Sequence, residues 1–404
     1  MPRISFLKSA GFLLSLNEIN SWRAEMKMKR RKVMQDETYM KLALSLAAAT
    51  EGQTSPNPQV GAVVVKHGEI IGTGTHLRAG KHHAEKSALE EAGEAAIHAD
   101  LYVTLEPCAH QGKTKACTSA IISAGVKRVF IATLDPNPKV TGKGRDLLSQ
   151  AGIEVKTGLL EQEAQKINEV FFHYIQTNQP YVTLKAAVSM DGKTAAKTGD
   201  STWITSPESR EDVHQLRHTH DAILVGIHTI IQDNPQLTTR LPRGGIHPIR
   251  VILDTDLRIP LDANVIKDQT CRTIILTGKN VNKEKIRCIE NHIVEVVSFE
   301  TDFITVSDVL NYLGKQEITS LLVEGGATVH SSFMEATAFQ QILLYMSPKI
   351  IGGSSAYPVV GGEGITEMHE AVLLHFTNIE QIGPDIKITA KPNREEPDNV
   401  YRDY

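Results

Sequence analysis

The sequence predicts an α/β protein built as two domains. The chain has 404 residues, more than one hydrophobic core ordinarily organises. Apolar runs of strand length alternate with helical patterns along most of it, the signature of layered α/β units. Near the middle, the polar step "QTNQP" ending in Pro180 marks a boundary, because a Pro-terminated polar stretch does not continue a helix. With 41% hydrophobic and 22% charged residues, the composition is that of an ordinary globular chain.

In the first half, "DETYMKLALSLAAA" is expected to be a helix with Asp36 as its N-cap and Tyr39, Leu42, Ala43, Leu46 and Ala47 on one face. "VGAVVVKHGEIIGTGTH" reads as a hairpin turning at His67-Gly68. A helix over His83 to Ala92, the strand "LYVTL", the helix "CTSAIISAG" stopped by Gly125 and the strand "KRVFIATLD" complete a three-layer α/β unit, and one further helix is expected from about Leu160 to Ile175. In the second half the strand candidates are "YVTLKAAV", "DAILVG", "IRVILD", "RTIILTG", "IVEVVSF", "SLLVEGG" and "QILLYMSPKI", with helices at "SPESREDVHQLRHTH" and "ATVHSSFMEAT". The tail "AKPNREEPDNVYRDY" is charged and Pro-interrupted, so loose order is expected there.

Charge and cysteine usage narrow the function. A net charge of -4 and a pI near 6.5 carry no electrostatic footprint for nucleic acid, so a small-molecule substrate is expected. Cys108, Cys117, Cys271 and Cys288 are too scattered for a disulfide framework, which fits a reducing, cytoplasmic setting. The early run "FLKSAGFLLSL" lacks a small-residue cleavage site and is too short to span a bilayer. No later segment has the apolar length of a membrane helix, so residues 1–35 are read as an extension and no membrane partner is expected.

The stretch "GKHHAEKSALEEAGEAAIHADLYVTLEPCAHQGKTKAC" concentrates metal-binding chemistry. His83-Ala84-Glu85 opens a helix, Cys108 follows a buried strand, and Cys117 opens the next helix. One imidazole and two thiolates make three zinc ligands and leave a fourth position for water, the composition of a catalytic site. A nearby carboxylate that is not a ligand, Glu85, can move the water's proton to a leaving amine. On the residues alone, His82 competes with His83 as the ligand, and each piece separately has a bland counterpart: a surface helix pair, or two buried cysteines. The ordered combination is the zinc deaminase signature, H-x-E followed by P-C and a second Cys. Eight residues separate Cys108 from Cys117 instead of the usual two, and in this longer loop Lys113 and Thr114 suit a phosphate or a polar base edge.

"SPNPQVGAVVV", "GTGTH", "HAE", "YVTLEPCAHQGKTKAC" and "DPNPKVTGKG" together resemble the deaminase half of the bifunctional riboflavin-biosynthesis deaminase-reductases. "LKAAVSMDGKTA", "GDSTWITS", "DAILVGIHTIIQDNPQLTTR" and "VEGGATVHSSF" resemble the reductase half, in the family's order, over about Asp36 to Lys391. The resemblance implies a cytidine deaminase-like three-layer α/β/α domain over 36–178, a dihydrofolate reductase-like α/β domain over 179–391, and a tail from 392. It implies a phosphorylated pyrimidine substrate, deaminated on zinc held by His83, Cys108 and Cys117 with Glu85 as proton shuttle, and a ribosyl group then reduced by NADPH. Asn57 and His76 would line the deaminase pocket; Asn57 reads equally well as a turn residue before Pro58. The family often has His at Ser87 and Pro at Ala116, departures that touch no metal ligand. A homo-oligomer is expected. Rival assignments are a nucleoside or tRNA deaminase fused to an unrelated reductase, or a zinc-stapled nucleotide-binding module, but structural zinc has no need of Glu85.

In the second half no G-x-G-x-x-G follows a strand, so a Rossmann site has no support. Gly325-Gly326, between "SLLV" and a helix, would let phosphate oxygens approach helix amides, or would simply turn strand into helix. By the family pattern Ala187, Trp203, Thr229, Asp233 and Leu237, with Gly326, Ala327, Thr328, Val329, His330, Ser331 and Ser332, face NADPH. Ser201, Arg217, Arg240 and Glu324 face the substrate, the arginines suiting its 5′-phosphate. Trp203 reads equally as core and Arg217 as a solvated helix charge without the resemblance. Asp233 and Glu324 remain alternatives for assisting hydride transfer.

Overall fold

The computed structural model describes residues 33–109, 116–138 and 140–393. The chain divides into two compact units, one of residues 1–50 and 59–167, the other of 51–58 and 168–404.

In the first unit five strands run in the order β2-β1-β3-β4-β5, with β1 (Gly61–Lys66), β2 (Glu69–Thr75), β3 (Asp100–Leu105), β4 (Arg128–Thr133) and β5 (Glu154–Thr157). β1 is antiparallel to both of its neighbours, β2 and β3, and β3, β4 and β5 are parallel. The β1–β2 turn is at His67-Gly68, both with positive φ, as the hairpin pattern requires. Helix α1 (33–48) covers one face, packing Met40, Ala43 and Leu44 on Val63, Val65, Tyr102 and Phe130. Asp36 lies inside α1 instead of capping it, and accepts a hydrogen bond from Tyr102 Oη at 2.6 Å. Helix α2 (Ala84–Ala92) lies on the other face, so close that a Cβ at Gly74 would stand 2.1 Å from the Ala84 carbonyl oxygen. This glycine contact fixes the start of α2, and therefore His83 and Glu85, against the sheet. The helices α3 (Cys117–Ser123), α4 (Lys143–Gln150) and α5 (Glu161–Ile167) follow.

The single helix expected over 160–175 is two helices. Asn168, with φ -107 and ψ 20, breaks α5 from α6 (Glu169–Thr177), and α6 belongs to the second unit. The Tyr174 hydroxyl donates to the Gly314 carbonyl at 3.0 Å, and Lys391 pairs with Glu169. The units therefore part near Ile167, ahead of the polar step at Pro180. Residues 51–58 also join the second unit, where Ser55 Oγ donates to Asp221 at 2.8 Å.

The second unit holds a nine-stranded sheet in the order β11-β10-β9-β8-β12-β6-β13-β16-β15. Its strands are β6 (Tyr181–Ser189), β8 (Ala222–Gly226), β9 (Ile249–Leu253), β10 (Thr273–Thr277), β11 (Val294–Ser298), β12 (Ser320–Gly325), β13 (Gln341–Ser347), β15 (Leu374–Ile382) and β16 (Asp385–Pro392); β7 (Lys193–Ala195) and β14 (Tyr357–Pro358) form a separate ribbon. All pairs from β11 to β13 are parallel; β16 and β15 close the edge antiparallel. The apolar runs are buried on both faces, as parallel strands require: Ala222 and Leu224 enter one core, Ile223 and Val225 the other. The helices are α7 (Pro207–Thr219), α8 (Ile227–Asp233), α9 (Asn264–Lys267), α10 (Lys283–Ile289), α11 (Val306–Lys315) and α12 (Ala327–Glu335). The loose tail expected from Ala390 is corrected at its start. Alternating Ile386, Ile388 and Ala390 pair with β13, and Pro392 ends β16; residues 394–404 lie outside the described residues.

Arg250 of β9 is fully buried and gives both terminal nitrogens to Asp268, at 2.8 and 2.5 Å. Removing the carboxylate strands a buried guanidinium, which typically costs about 3–5 kcal/mol. In chemical denaturation, Asp268→Ala is expected to destabilise the second unit by that order while leaving zinc retention by the first unit unchanged.

Candidate active sites

The first site gathers at the heads of α2 and α3. His83 is the N-cap residue of α2, Glu85 lies in its first turn, and Cys117 is the first residue of α3. The donor atoms of His83, Cys108 and Cys117 all lie within 4.8 Å of one another. His83 Nδ1 stands 3.1 Å from Cys117 Sγ and 3.8 Å from Cys108 Sγ. Tetrahedral zinc, with Zn–S about 2.3 Å and Zn–N about 2.0 Å, spaces such atoms by roughly 3.5–3.8 Å, so the donor set fits zinc. His82 faces elsewhere, with Nδ1 3.3 Å from Glu90, which resolves the choice between the adjacent histidines.

The Cys117 thiol, His83 and the Cys117 N–H draw Cys108 down to about 4. The same bond to Cys108, together with burial, pushes Cys117 up. Glu85 is 3% exposed; burial pushes its carboxyl up. Glu106 fixes the chain entering Cys108, because its carboxylate accepts hydrogen bonds from the N–H groups of Gly142, Gly144, Arg145 and Asp135, at 2.9, 2.8, 3.1 and 3.2 Å. His76 is buried beside the site, its ring edge-on to His83 at 5.3 Å. Asn57 belongs to the 51–58 segment of the second unit; its N–H donates to the Thr54 carbonyl at 2.9 Å. Lys113 and Thr114 lie outside the described residues.

The second site is a cleft of about 890 Å³, lined from β6, β8, β12 and the helices that follow the latter two. Its floor is a buried ion cluster. Arg217 of α7 grips Glu324 with Nε at 2.7 Å and Nη2 at 3.0 Å, and Lys185 of β6 stands 3.7 Å from the same carboxylate. Although burial opposes ionisation, Arg217 and Lys185 hold the Glu324 carboxyl down to about 2. Burial pushes Lys185 down and Asp233 up. Arg240 gives Nη1 to Gln236 and Thr238, at 3.1 and 3.2 Å. Arg210 lies 4.6 Å over the Trp203 ring, whose residue is 65% exposed.

At the far wall, Gly326 is the N-cap of α12. A Cβ there would meet only Thr229 Oγ1, at 4.0 Å, whereas one at Gly325, where φ is +104, would stand 3.2 Å from the His330 ring. Gly325 is thus a packing glycine, and Gly326 leaves open space before the helix amides. That cradle, the cleft's size and its excess of cations fit a phosphorylated dinucleotide beside a small substrate.

Of the residues expected to face cofactor, Ala187, Trp203, Thr229 and Asp233 line the cleft, as do Gly326, Ala327, Thr328, Val329 and His330. Leu237 packs in the core with Ile223 and Leu257. Ser331 and Ser332 turn to their own helix, bonding Glu335 and the Thr328 carbonyl. Ser201, Arg217, Arg240 and Glu324 all line the cleft. Lys185, Arg210 and His214 line it too, though no sequence reasoning singled them out. Lysine in the otherwise apolar strand "YVTLKAAV" was a readable signal, and so was the spacing of Arg210, His214 and Arg217 along one helix face.

Comparison with known proteins matches both domains. Residues 33–133 match the model of the cytidine and deoxycytidylate deaminase zinc-binding region, and residues 180–388 match the RibD C-terminal domain. The riboflavin biosynthesis protein RibD of Bacillus amyloliquefaciens is 51% identical, over 91% of this chain and 99% of its own. RibD of Acinetobacter baumannii, in its form 1 structure, superposes with a TM-score of 0.81 at 37% identity, over 90% of this chain and 100% of its own. The diaminohydroxyphosphoribosylaminopyrimidine deaminase/5-amino-6-(5-phosphoribosylamino)uracil reductase of Thermotoga maritima gives a TM-score of 0.80 at 38% identity, over 89% and 99%. The chain belongs to the RibD family of bifunctional riboflavin-biosynthesis enzymes, with a zinc-binding deaminase domain and an NADPH-dependent reductase domain.

Proposed function

We propose that the first unit replaces the 2-amino group of 2,5-diamino-6-ribosylamino-4(3H)-pyrimidinone 5′-phosphate by oxygen, and that the second then reduces the ribosyl group to ribityl. The carrying observation is a donor set of one imidazole and two cysteine sulfurs, one ligand short of a closed tetrahedron, with a buried carboxylate beside it that is not part of the set. Zinc bound there supplies an activated water. Glu85 accepts a proton from the attacking water and delivers it to the departing amine, so that the products are a ring carbonyl and ammonia. His76, with Lys113 and Thr114 of the loop, is assigned to the pyrimidine and its phosphate.

In the second unit NADPH supplies the hydride. The open face at Gly326 and the amides of α12 receive its phosphates, and Trp203, Thr229 and Ala187 shape the groove along it. Glu324 aligns Arg217, and Arg240 stands on the same wall, so the two arginines are suited to the sugar 5′-phosphate while Ser201 offers a hydroxyl. Reduction at the ribosyl carbon also needs a proton on the ring oxygen that is released. Glu324 is paired with Arg217 and Lys185, which leaves Asp233 as the other carboxyl lining the cleft that can relay this proton.

The assembly proposed is a homo-oligomer acting on small molecules in the cytoplasm. Edge strand β15 exposes Phe376 at 67% and Ile379 at 58%, and exposed apolar edges of this kind are ordinarily covered. The ligand thiols need a reducing compartment to stay free. No described helix is long and apolar enough to cross a membrane.

Two outcomes test the assignments. Cys108→Ser and Cys117→Ser should each lose bound zinc, measured as metal content per chain, whereas Glu85→Gln should keep zinc and lose about 10²–10⁴-fold or more in deamination, with reduction of the deaminated substrate intact. Near wild-type deamination by Glu85→Gln would return the zinc to a structural role. In reductase kinetics, Arg240→Ala should raise KM for the phosphorylated substrate, losing a charge-assisted contact of about 1.5–3 kcal/mol. Gly326→Val should raise KM for NADPH, because a side chain fills the cradle. Exchanged effects would reverse the map of the cleft.

A further inference from the structure

Among the described residues lining the reductase cleft, His214 has a buried Nδ1 without a hydrogen-bond partner. A buried nitrogen left unpaired costs stability, so a cleft that retains one points to a bound state in which the imidazole is used. His214 stands on α7 four residues after Arg210 and three before Arg217, and these intervals put all three on one helix face. The groups acting on the ring come from three elements: Arg217 of its own helix, Arg240 and the Thr238 carbonyl of the segment after α8, and Glu324 of β12. In the free cleft the surroundings favour the neutral imidazole. Burial, then the Arg217 and Arg240 cations, push it down to about 4 against the pull of Glu324 and Thr238.

The wall is arranged for a doubly charged anion. Lys185, Arg210, Arg217 and Arg240 are set against the carboxylates of Glu324 and Asp233, so two positive charges remain. A phosphate monoester carries nearly that charge in the opposite sense near neutral pH. Its arrival cancels the field of the two arginines at the imidazole and replaces it with an attractive one, which favours the protonated ring.

We propose that His214 is the proton-accepting member of the substrate phosphate site: when a sugar phosphate dianion settles at Arg217 and Arg240, the imidazole takes a proton from solvent and becomes a further cation of the site. This rests on the assignment of the substrate phosphate to those arginines. The linkage has a definite sign. Because the bound-state pKa lies above the free one, the contribution is present below the bound-state pKa and lost as pH rises through it. Above about pH 6 the phosphate is mostly dianionic, so from there toward pH 8 its affinity should fall as pH rises, by up to about tenfold per unit.

The test is calorimetric titration of the full chain with ribose 5-phosphate, in pairs of buffers that differ in ionisation heat, across that pH range. Wild type is expected to take up a proton on binding, more at the acid end than at the alkaline end. His214→Asn and His214→Phe should bind ribose 5-phosphate more weakly at the acid end, lose the pH dependence and take up no proton. Retained NADPH affinity in either variant shows that the cleft is folded. Proton uptake that is absent in wild type, or unchanged in a folded His214 variant, overturns the proposal. Arg240→Ala separates the two layers: if it binds ribose 5-phosphate as wild type does, the phosphate is not at these arginines and both assignments fall. If it loses binding while His214→Asn still takes up the proton, only the role of His214 falls.

Discussion

A single buried carboxylate organises the second active site. Glu324 sits near the end of β12, where its two oxygens join three elements, β12 itself, β6 through Lys185 and α7 through Arg217. A buried charge of this kind is tolerated only if it is paired and hydrogen-bonded. The requirement works in both directions. It holds Lys185 and Arg217 at the cleft floor as ordered cations, and they in turn favour the ionised carboxylate. The cleft's electrostatic character follows, with more positive charge than Glu324 neutralises, beside a helix N-terminus left open by Gly326.

The first unit solves the same problem of placement by packing. Gly74 lets α2 press on the sheet, which sets His83 and Glu85. The carboxylate of Glu106 ties the chain entering Cys108 to the start of α4. The metal donors thus come from two helix heads and a loop, and the start of α2 and the chain entering Cys108 are each anchored by a contact outside the donor set, as a preorganised catalytic metal needs. Such a centre fixes its geometry before substrate arrives.

Much of this was legible in the sequence because it depends on local pattern. The hairpin at His67-Gly68, the buried strands and the His-x-Glu to Pro-Cys order are carried by short stretches whose periodicity or chemistry stands out. What escaped depends on long-range contact. Asn168 breaks a pattern that reads as one helix, and α6 joins the second unit through Tyr174 and Glu169, partners more than a hundred residues away. The β15–β16 hairpin is hidden because β15 is exposed along almost its whole length, so no burial alternation marks it. Lys185 and His214 leave a trace in the sequence, a lysine in a strand and a histidine at helical spacing from two arginines, but the trace gains its meaning when Glu324 and Arg240 arrive from elsewhere in the chain.

The account stands on two chemistries performed in order by one chain, deamination before reduction. The most direct measurement is product identification by mass spectrometry after the purified, zinc-loaded chain is incubated with the diaminopyrimidinone phosphate, with and without NADPH. Without NADPH the deaminated, unreduced phosphate should accumulate, and with NADPH it should pass on to the ribityl product. Appearance of a reduced product that still carries the 2-amino group, as the main early species, would contradict the proposed order and the division of labour between the two units.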